Sequence, residues 1–347
     1  MFITQISDGA QLFDRSLFSG GGSNVAESAW PGTAVIEGHK GYLDGYVIID
    51  FEEDDAVYHT YTGSKETVTI PEDGDYELTA VGGRGGSCSV MTLPNGGRLS
   101  RRGGYGAEAR GTFRFSKGDK LHMVVGGMGG DCNVISENPL ALPLDTTGAG
   151  GAGGTFIEWE EGTSNKQELL LVGGGGGGAG NNHDGGDGEK GKDGGFDWGG
   201  KNGQGGRLCQ EGDDCKSRFF LNGGAGGGGY DGDGASRCGD ANSCNFGPVD
   251  ENARECNDNG DNVLAEGGKS FQNGSDGGQQ VVDVYGASDG CIYQNFNGGF
   301  GGFGGGGEGG ILRLDRLNLE VENGGGGGGG GYSGGGAGQF QGDSGGG

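Results

Sequence analysis

Along the first half of the chain, apolar and polar residues alternate with the two-residue period of β-strands. Ala56 to Tyr61, Glu66 to Ile70 and Asp75 to Val81 are short runs rich in β-branched and aromatic residues, and residues 71–74 (PEDG) have turn composition. Phe113 and Phe115 fall on one face of a strand, as do Leu121, Met123 and Val125. With SKGD at 116–119 between them, these two runs predict a β-hairpin. Thr155 to Glu160 and Glu168 to Val172 predict two further strands. No stretch combines helical periodicity with caps, so the expectation is a mostly β protein with little or no α-helix. Residues 1–50 give no clear pattern and stay unassigned, and residues 51–172 read as a β domain.

From Gly173 the alternation stops. Gly173 to Gly178 is a pure run, Gly223 to Gly229 is broken only by Ala225, and Gly298 to Gly310 is interrupted by Phe300, Phe303 and Glu308. Gly324 to Gly331 is pure again. One β island, residues 311–322, interrupts the last two runs. Leu312 and Leu314 share a face, then Leu317, Leu319 and Val321 alternate in the other phase, which predicts a tight turn or bulge at Asp315-Arg316. Residues 173–347 are therefore read as a glycine-rich part carrying that island.

Composition sharpens this division. Of 347 residues 94 are glycine, and hydrophobic residues make up 31%, so a conventional core cannot run through the whole chain. Only 6 prolines are present, which excludes collagen. A flexible linker is the ordinary reading of so much glycine. Against it stand the scarcity of serine and proline around the runs, the aromatic and aliphatic residues beside them, and 8 cysteines. An ordered alternative exists. An extended helix of the polyproline type has three residues per turn and no internal hydrogen bonds, so its backbone groups point outward. Built from glycine, such helices can pack closely and bond backbone to backbone. Gly185, Gly188, Gly191 and Gly194 recur every third residue, which predicts an outer helix with Asp187, Glu189, Lys190, Lys192 and Asp193 facing water.

The net charge of −26 makes nucleic acid an unsuitable partner and suits a basic protein partner. No apolar run reaches the length of a membrane span, and residues 1–20 lack the apolar centre of a signal peptide, so the expectation is a processed chain or a piece of a longer one. The cysteines are Cys88, Cys132, Cys209, Cys215, Cys238, Cys244, Cys256 and Cys291. Their even number predicts disulfides and an oxidising compartment. Zinc would call for Cys-x-x-Cys spacing or nearby histidines, and neither occurs. Proximity suggests Cys209 with Cys215 and Cys238 with Cys244. Cys88 and Cys132 each follow a strand that runs into glycine, which pairs them, and Cys256 and Cys291 are left together.

Several motifs carry no chemistry. GDSGG at 342–346 spells a serine-protease nucleophile motif, yet none of His39, His59, His122 and His183 sits in the setting of a general base. GYSGG at 331–335 lacks the strand-to-helix context of a nucleophile elbow. GKS at 268–270 would need glycine where Val263 stands. Asp231, Asp233, Asp258 and Asp261 form no calcium-binding loop pattern. No cofactor or metal is expected. Asn273 heads one full glycosylation sequon, Asn273-Gly274-Ser275.

Seven blocks occur in an order that resembles a known domain. They are YELTAVGGRGGS (76–87), GYGAEARGTFRFSKGDKLHMVVG (104–126), GGTFI (153–157), LLLVGGGGGGA (169–179), GKSFQNG (268–274), NGGFGGFGGGG (297–307), and the Gly324–Gly331 run flanked by Asn323 and Tyr332. Together they resemble the glycine-rich extracellular region of the anaplastic lymphoma kinase and leukocyte tyrosine kinase receptors. The resemblance implies a tumour-necrosis-factor-like (TNF-like) β-sandwich fused to hexagonally packed polyglycine helices. In the receptors that unit binds small basic protein ligands. The island at 311–322 departs from the receptor pattern, which has a cysteine at that place. The resulting expectation is a non-catalytic extracellular binding module, or a structural subunit that associates with itself through polyglycine helices.

Overall fold

A computed structural model describes residues 20–25, 34–36, 44–51, 56–92, 98–132, 147–164, 166–180, 183–195, 198–208, 223–238, 254–255, 263–279, 285–288, 291–296, 298–310, 312–315, 320–322 and 324–338. Among these the chain is mostly β and contains no helix. In chain order the first strands are β1 (Asn24–Val25), β2 (Ala34–Ile36), β3 (Tyr46–Asp50), β4 (Val57–Thr60), β5 (Glu66–Thr69) and β6 (Gly74–Val81). There follow β7 (Cys88–Thr92), β8 (Arg98–Arg101), β9 (Glu108–Phe115), β10 (Lys120–Val124), β11 (Thr155–Glu160) and β12 (Gln167–Gly173).

Ten of these strands make two five-stranded antiparallel sheets, ordered β1-β12-β11-β10-β5 and β2-β9-β6-β3-β4. The two sheets share one core. Val47, Ile49, Tyr76, Leu78, Phe113 and Phe115 come from one sheet, and Leu121, Met123, Ile157, Leu170 and Leu171 come from the other. The burial pattern along β9 alternates strictly, because each outward residue meets solvent while its neighbours enter the core. Strands β1, β2 and β3 fall within the segment that sequence patterning left unassigned, and each is paired into these sheets.

The predicted hairpin at 111–125 is corrected. β9 pairs with β2 and β6, and β10 pairs with β5 and β11. Both strands carry a fully apolar face, and two such faces bury each other by lying opposite across the core, not edge to edge. The turn between them therefore crosses from one sheet to the other. Asp119 holds it by accepting the Ser116 N–H at 3.0 Å, and Gly118 supplies the left-handed backbone at φ 93°.

The later strands are short. β13 (Arg237–Cys238), β14 (Arg254–Glu255) and β15 (Val263–Ala265) form one small sheet. β16 (Tyr285–Ser288), β17 (Cys291–Phe296), β18 (Leu312–Asp315) and β19 (Glu320–Glu322) form a four-stranded meander. The island at 311–322 is thus half of a larger sheet. The turn expected at Asp315-Arg316 falls largely outside the described residues.

The glycine runs are ordered, and their hydrogen bonds repeat every three residues. In the segment 173–180 the N–H groups of Gly175 and Gly178 donate to Gly330 and Gly327, those of Gly176 and Ala179 to Gly83 and Gly86, and those of Gly177 and Gly180 to Gly186 and His183. Its carbonyls accept from Ala107 and Gly104, from Ala152 and Ala149, and from Gly21. One segment therefore bonds to six others, and residues three apart always meet the same neighbour. That is the period of a polyproline-type helix in a hexagonal lattice. The segments 148–154, 225–230 and 324–332 repeat this pattern. All of their glycines and alanines are buried. Backbone groups enclosed without water must be paired, and here each segment pairs with its neighbours, since the helix has no bonds of its own.

Residue 173 is not a spatial boundary. The segments 82–87, 102–107, 126–131 and 147–154 leave or enter sandwich strands and take places in the same lattice. Strands β6 and β10 run straight on into it.

Candidate functional site

Among the described residues, clusters of polar side chains lie on the sandwich flank, where the sandwich meets the lattice, and at the lattice edges. On the outer face of the sheet containing β10, the register places Thr67, His122 and Glu158 in one cross-strand row, with Thr69, Lys120 and Glu160 in the next. Lys120 Nζ lies 2.6 Å from Glu160 Oε1, His122 Nε2 lies 3.0 Å from Glu160 Oε2, and Gln167 adds a contact at 3.3 Å. Hydrogen bonding by Lys120, then by His122, holds the Glu160 carboxyl down at about 2. His122 Nδ1 is 2.9 Å from Thr67 Oγ1. Hydroxyl, imidazole and carboxylate are thus connected in the order of a proton relay. Thr67 stands exposed on an edge strand.

Further along the same sheet, the lattice covers Glu158, whose side chain is 6% exposed. Tyr230 donates its hydroxyl to Glu158 Oε1 at 2.5 Å, and Lys65 Nζ lies 3.9 Å from Oε2. The Tyr230 ring stacks on Phe271 at 5.3 Å, Phe271 meets Phe156 at 5.1 Å, and Lys65 sits 4.1 Å over the Phe271 ring. Burial, reinforced by the Glu158 carboxylate, pushes the Tyr230 phenol above its ordinary range. This aromatic seam docks the lattice onto the sheet.

Carboxylates also finish the lattice edges. Asp184 and Asp187 accept from the N–H groups of Arg102 and Tyr105 at 3.0 and 2.8 Å. Asp131 accepts from Ser87 and Asp44 from Met128, while the fully buried Glu308 accepts from the Glu266 N–H within the lattice. The outer helix predicted at 185–194 is corrected on this point: Gly185 and Gly188 do bond to the neighbouring 102–105 segment, but Asp187 caps that neighbour's backbone instead of facing water. Asp233 accepts from Ser270 N–H and from the Asn273 amide at 2.8 and 3.0 Å. Burial alone would raise its carboxyl; these donors and Lys269 reverse that and hold it below the usual range.

Asn273 is exposed in the turn after Phe271, while Ser275 of the same sequon is buried with φ 65°. Cys88 and Cys132 form a disulfide with their Cα atoms 5.1 Å apart. The bridge ties two adjacent lattice segments, since Gly129 donates to Arg84 and Cys132 to Ser87. Cys238 lies on β13 and Cys291 on β17; Cys209, Cys215, Cys244 and Cys256 lie outside the described residues, as does the GDSGG motif at 342–346.

No protein-family model matches the chain, and no curated protein matches it in sequence. Among the described residues no group of histidine, cysteine and carboxylate side chains is arranged to hold a metal ion, and no helix is long and apolar enough to cross a membrane. The described surface also exposes four large apolar side chains: Tyr58 is 67% exposed, Val57 52%, Phe300 45% and Tyr61 42%. Sequence patterning placed Val57 and Tyr58 on a strand, but it could not tell an edge strand from an interior one.

Proposed function

We propose that the protein is a non-catalytic, rigid binding module of extracellular type, in which a closed glycine lattice and a β-sandwich of the TNF-like kind hold a side-chain-bearing flank toward a protein partner. The observation that carries this reading is how the glycines are used. A Cβ added at Gly21, Gly85, Gly151, Gly227 or Gly329 would fall on a backbone carbonyl of a neighbouring segment. At the lattice edge the capping is done by aspartates such as Asp184 and Asp187. A subunit that packs against copies of itself through polyglycine helices needs open glycine faces, and among the described residues the glycine runs at 173–178, 223–229 and 324–331 are buried inside the molecule. The disulfide supports an oxidising compartment. The receptor resemblance adds a basic protein as the class of ligand, in keeping with a net charge of −26.

The test is the assembly state of the purified chain, followed by sedimentation and electron microscopy, with capture of partners from extracellular fluid alongside. A monomer that retains a protein ligand is the expected result. Filaments or sheets formed by the chain alone would replace this reading with the structural one.

A further inference from the structure

Among the described residues, one edge strand of each sheet lies on a shared flank. β4 ends one sheet and β5 ends the other, and they are consecutive in the chain, joined only by residues 61–65. His59 Nδ1 and Glu66 Oε2, 3.2 Å apart, tie the two edges together. An edge strand is a template for another strand, and proteins commonly guard it with lysine, proline or a bulge. β4 has the sequence VYHT and pairs with β3 in unbroken register from Val57 to Thr60. It therefore carries no lysine, no proline and no bulge, and it presents Tyr58 and Val57 to solvent. The apolar surface continues past the strand. The Tyr61 ring is 6.4 Å from that of Phe303, and Phe300 lies one three-residue turn before Phe303, on the same side of its segment.

The other end of the edge is acidic. Val57 is opposite Ile49, and Asp50 follows on β3. Glu72 and Asp73 are exposed in the turn after β5. The Tyr76 hydroxyl holds that turn by donating to the Glu72 carbonyl at 3.0 Å, and the Tyr76 ring stacks on Phe51, the residue after β3, at 4.5 Å. Two occupants compete for such an edge. A second copy of the chain would bring another net charge of −26 against the first, so electrostatics opposes it. A basic chain is drawn in by the same field.

We infer that β4 is a docking edge that takes an extended, basic segment of a partner protein as an added strand, with apolar side chains on the face that carries Tyr58 and lysine or arginine on the opposite face, drawn in by the acidic end of the edge at Asp50, Glu72 and Asp73. Backbone bonds supply affinity in this mode and alternate side chains supply selectivity. The inference rests on the binding-module reading and names its surface and partner chemistry.

The probe is a short amidated peptide of alternating lysine and valine, with a glutamate–valine peptide and a backbone N-methylated lysine–valine peptide as controls. Binding is followed by amide exchange on the full oxidised chain. The expected result is new protection confined to residues 57–60 with the lysine peptide alone, weakening as salt rises. The exposed substitution Tyr58→Lys should weaken that binding about tenfold or more by charge and lost contact, with an unchanged melting temperature. Protection elsewhere, equal binding of the glutamate or N-methylated peptide, or indifference to Tyr58→Lys overturns the docking edge. A chain that dimerises through residues 57–60 overturns it in favour of a second copy. If Tyr58→Lys leaves capture of a natural partner intact, the edge assignment fails while the binding-module reading survives.

Discussion

The sandwich and the glycine lattice solve the same problem with opposite parts of the polypeptide. In the sandwich, side chains fill the interior: Leu78, Leu121, Met123 and Ile157 have no exposed surface, and sheet hydrogen bonds lie in the plane of each layer. In the lattice the interior is backbone, and the bonds radiate from each segment to its neighbours in several directions. A hydrogen bond nets about 0.5–1.5 kcal/mol, whereas fixing one residue's backbone costs about 1–2 kcal/mol and glycine lies at the expensive end. The bonds alone do not cover that cost. Close backbone packing and continuity with the apolar core have to supply the remainder, which gives a reason for β6 and β10 to run directly from one region into the other. The lesson is that the two regions fail in opposite ways, one when side chains are removed and the other when they are added.

The most damaging change should therefore be the addition of a few atoms. Gly327→Val places its Cβ on the Gly307 carbonyl, inside a segment bonded on every side. The expected loss is more than about 4 kcal/mol, the range reserved for severe core lesions. Leu121→Ala, which deletes a fully buried side chain from the sandwich, should cost about 2–5 kcal/mol. Gly191→Ala is the control: a Cβ there comes no nearer than 4.0 Å to another atom, and the change should stay within about 0.5 kcal/mol. Denaturant melts of the three variants order them. If Gly327→Val were as harmless as Gly191→Ala, the lattice would not be the close-packed object described here.

A covalent staple should matter next. Cys88 and Cys132 are separated by 44 residues, and the bridge fastens two lattice segments whose order depends on their ends staying in register. The double variant Cys88→Ala/Cys132→Ala is expected to lose about 2–4 kcal/mol through the freedom it returns to the unfolded chain. Amide exchange should localise the effect to residues 82–87 and 126–131, with the sandwich strands far less affected.

How much of this was legible in the sequence depended on whether a residue acts through its own pattern or through distant partners. Alternation at Phe113, Phe115, Leu121 and Met123 gave the strands and their inward faces correctly. It did not say that β9 and β10 face each other across a core, because the same alternation serves a hairpin and a crossing between sheets. Within 1–50, β1 and β2 were unreadable, since two or three residues carry no period of their own and exist only as partners of β12 and β9, whereas β3 does alternate over five residues and was legible. Third-position glycine at 185 and 188 did signal lattice contacts. The acidity reads in the sequence as net charge, water-facing side chains and loop carboxylates, yet several of these residues cap N–H groups at lattice edges, as Asp184, Asp187 and Asp131 do. Those carboxylates bond to residues 44 to 82 positions away, and no local pattern reveals such a pairing. The Tyr230–Glu158 seam was missed for the same reason, across a separation of 72 residues.

That seam is the joint between the two regions, so it offers a milder cut. Tyr230→Phe keeps the ring stacked on Phe271 and removes the hydroxyl that donates to buried Glu158. A buried carboxylate that loses a donor typically costs about 1–3 kcal/mol, here with Lys65 still near its second oxygen. If sandwich and lattice unfold as one unit, the variant will melt earlier in a single transition. Should the seam be the main coupling between them, the transition will broaden or split, with exchange rising first at 225–230 and 263–271.

The smallest effect is expected at Glu160, and it should be visible only in acid. Its carboxyl is held at about 2 against an ordinary value of 4.5, chiefly by the hydrogen bond from Lys120 and then by that from His122. A carboxyl whose folded value is depressed binds its proton more readily when unfolded. Its contribution to stability is therefore complete above the ordinary value and disappears as the pH falls from 4.5 toward 2. The side chains lie on the outer face of the sheet, where solvent and salt screen the pair, so the total is modest at any pH. Glu160→Gln keeps the shape and one acceptor but has no proton to gain. Its stability should be slightly below that of the parent chain at neutral pH, and the two curves should converge as the pH drops through that window. Thermal melts of both proteins at a series of acidic pH values make the comparison. Parallel curves with a constant offset would mean that Glu160 contributes packing alone and that the Lys120–Glu160–His122 ladder has no electrostatic weight in holding the sheet.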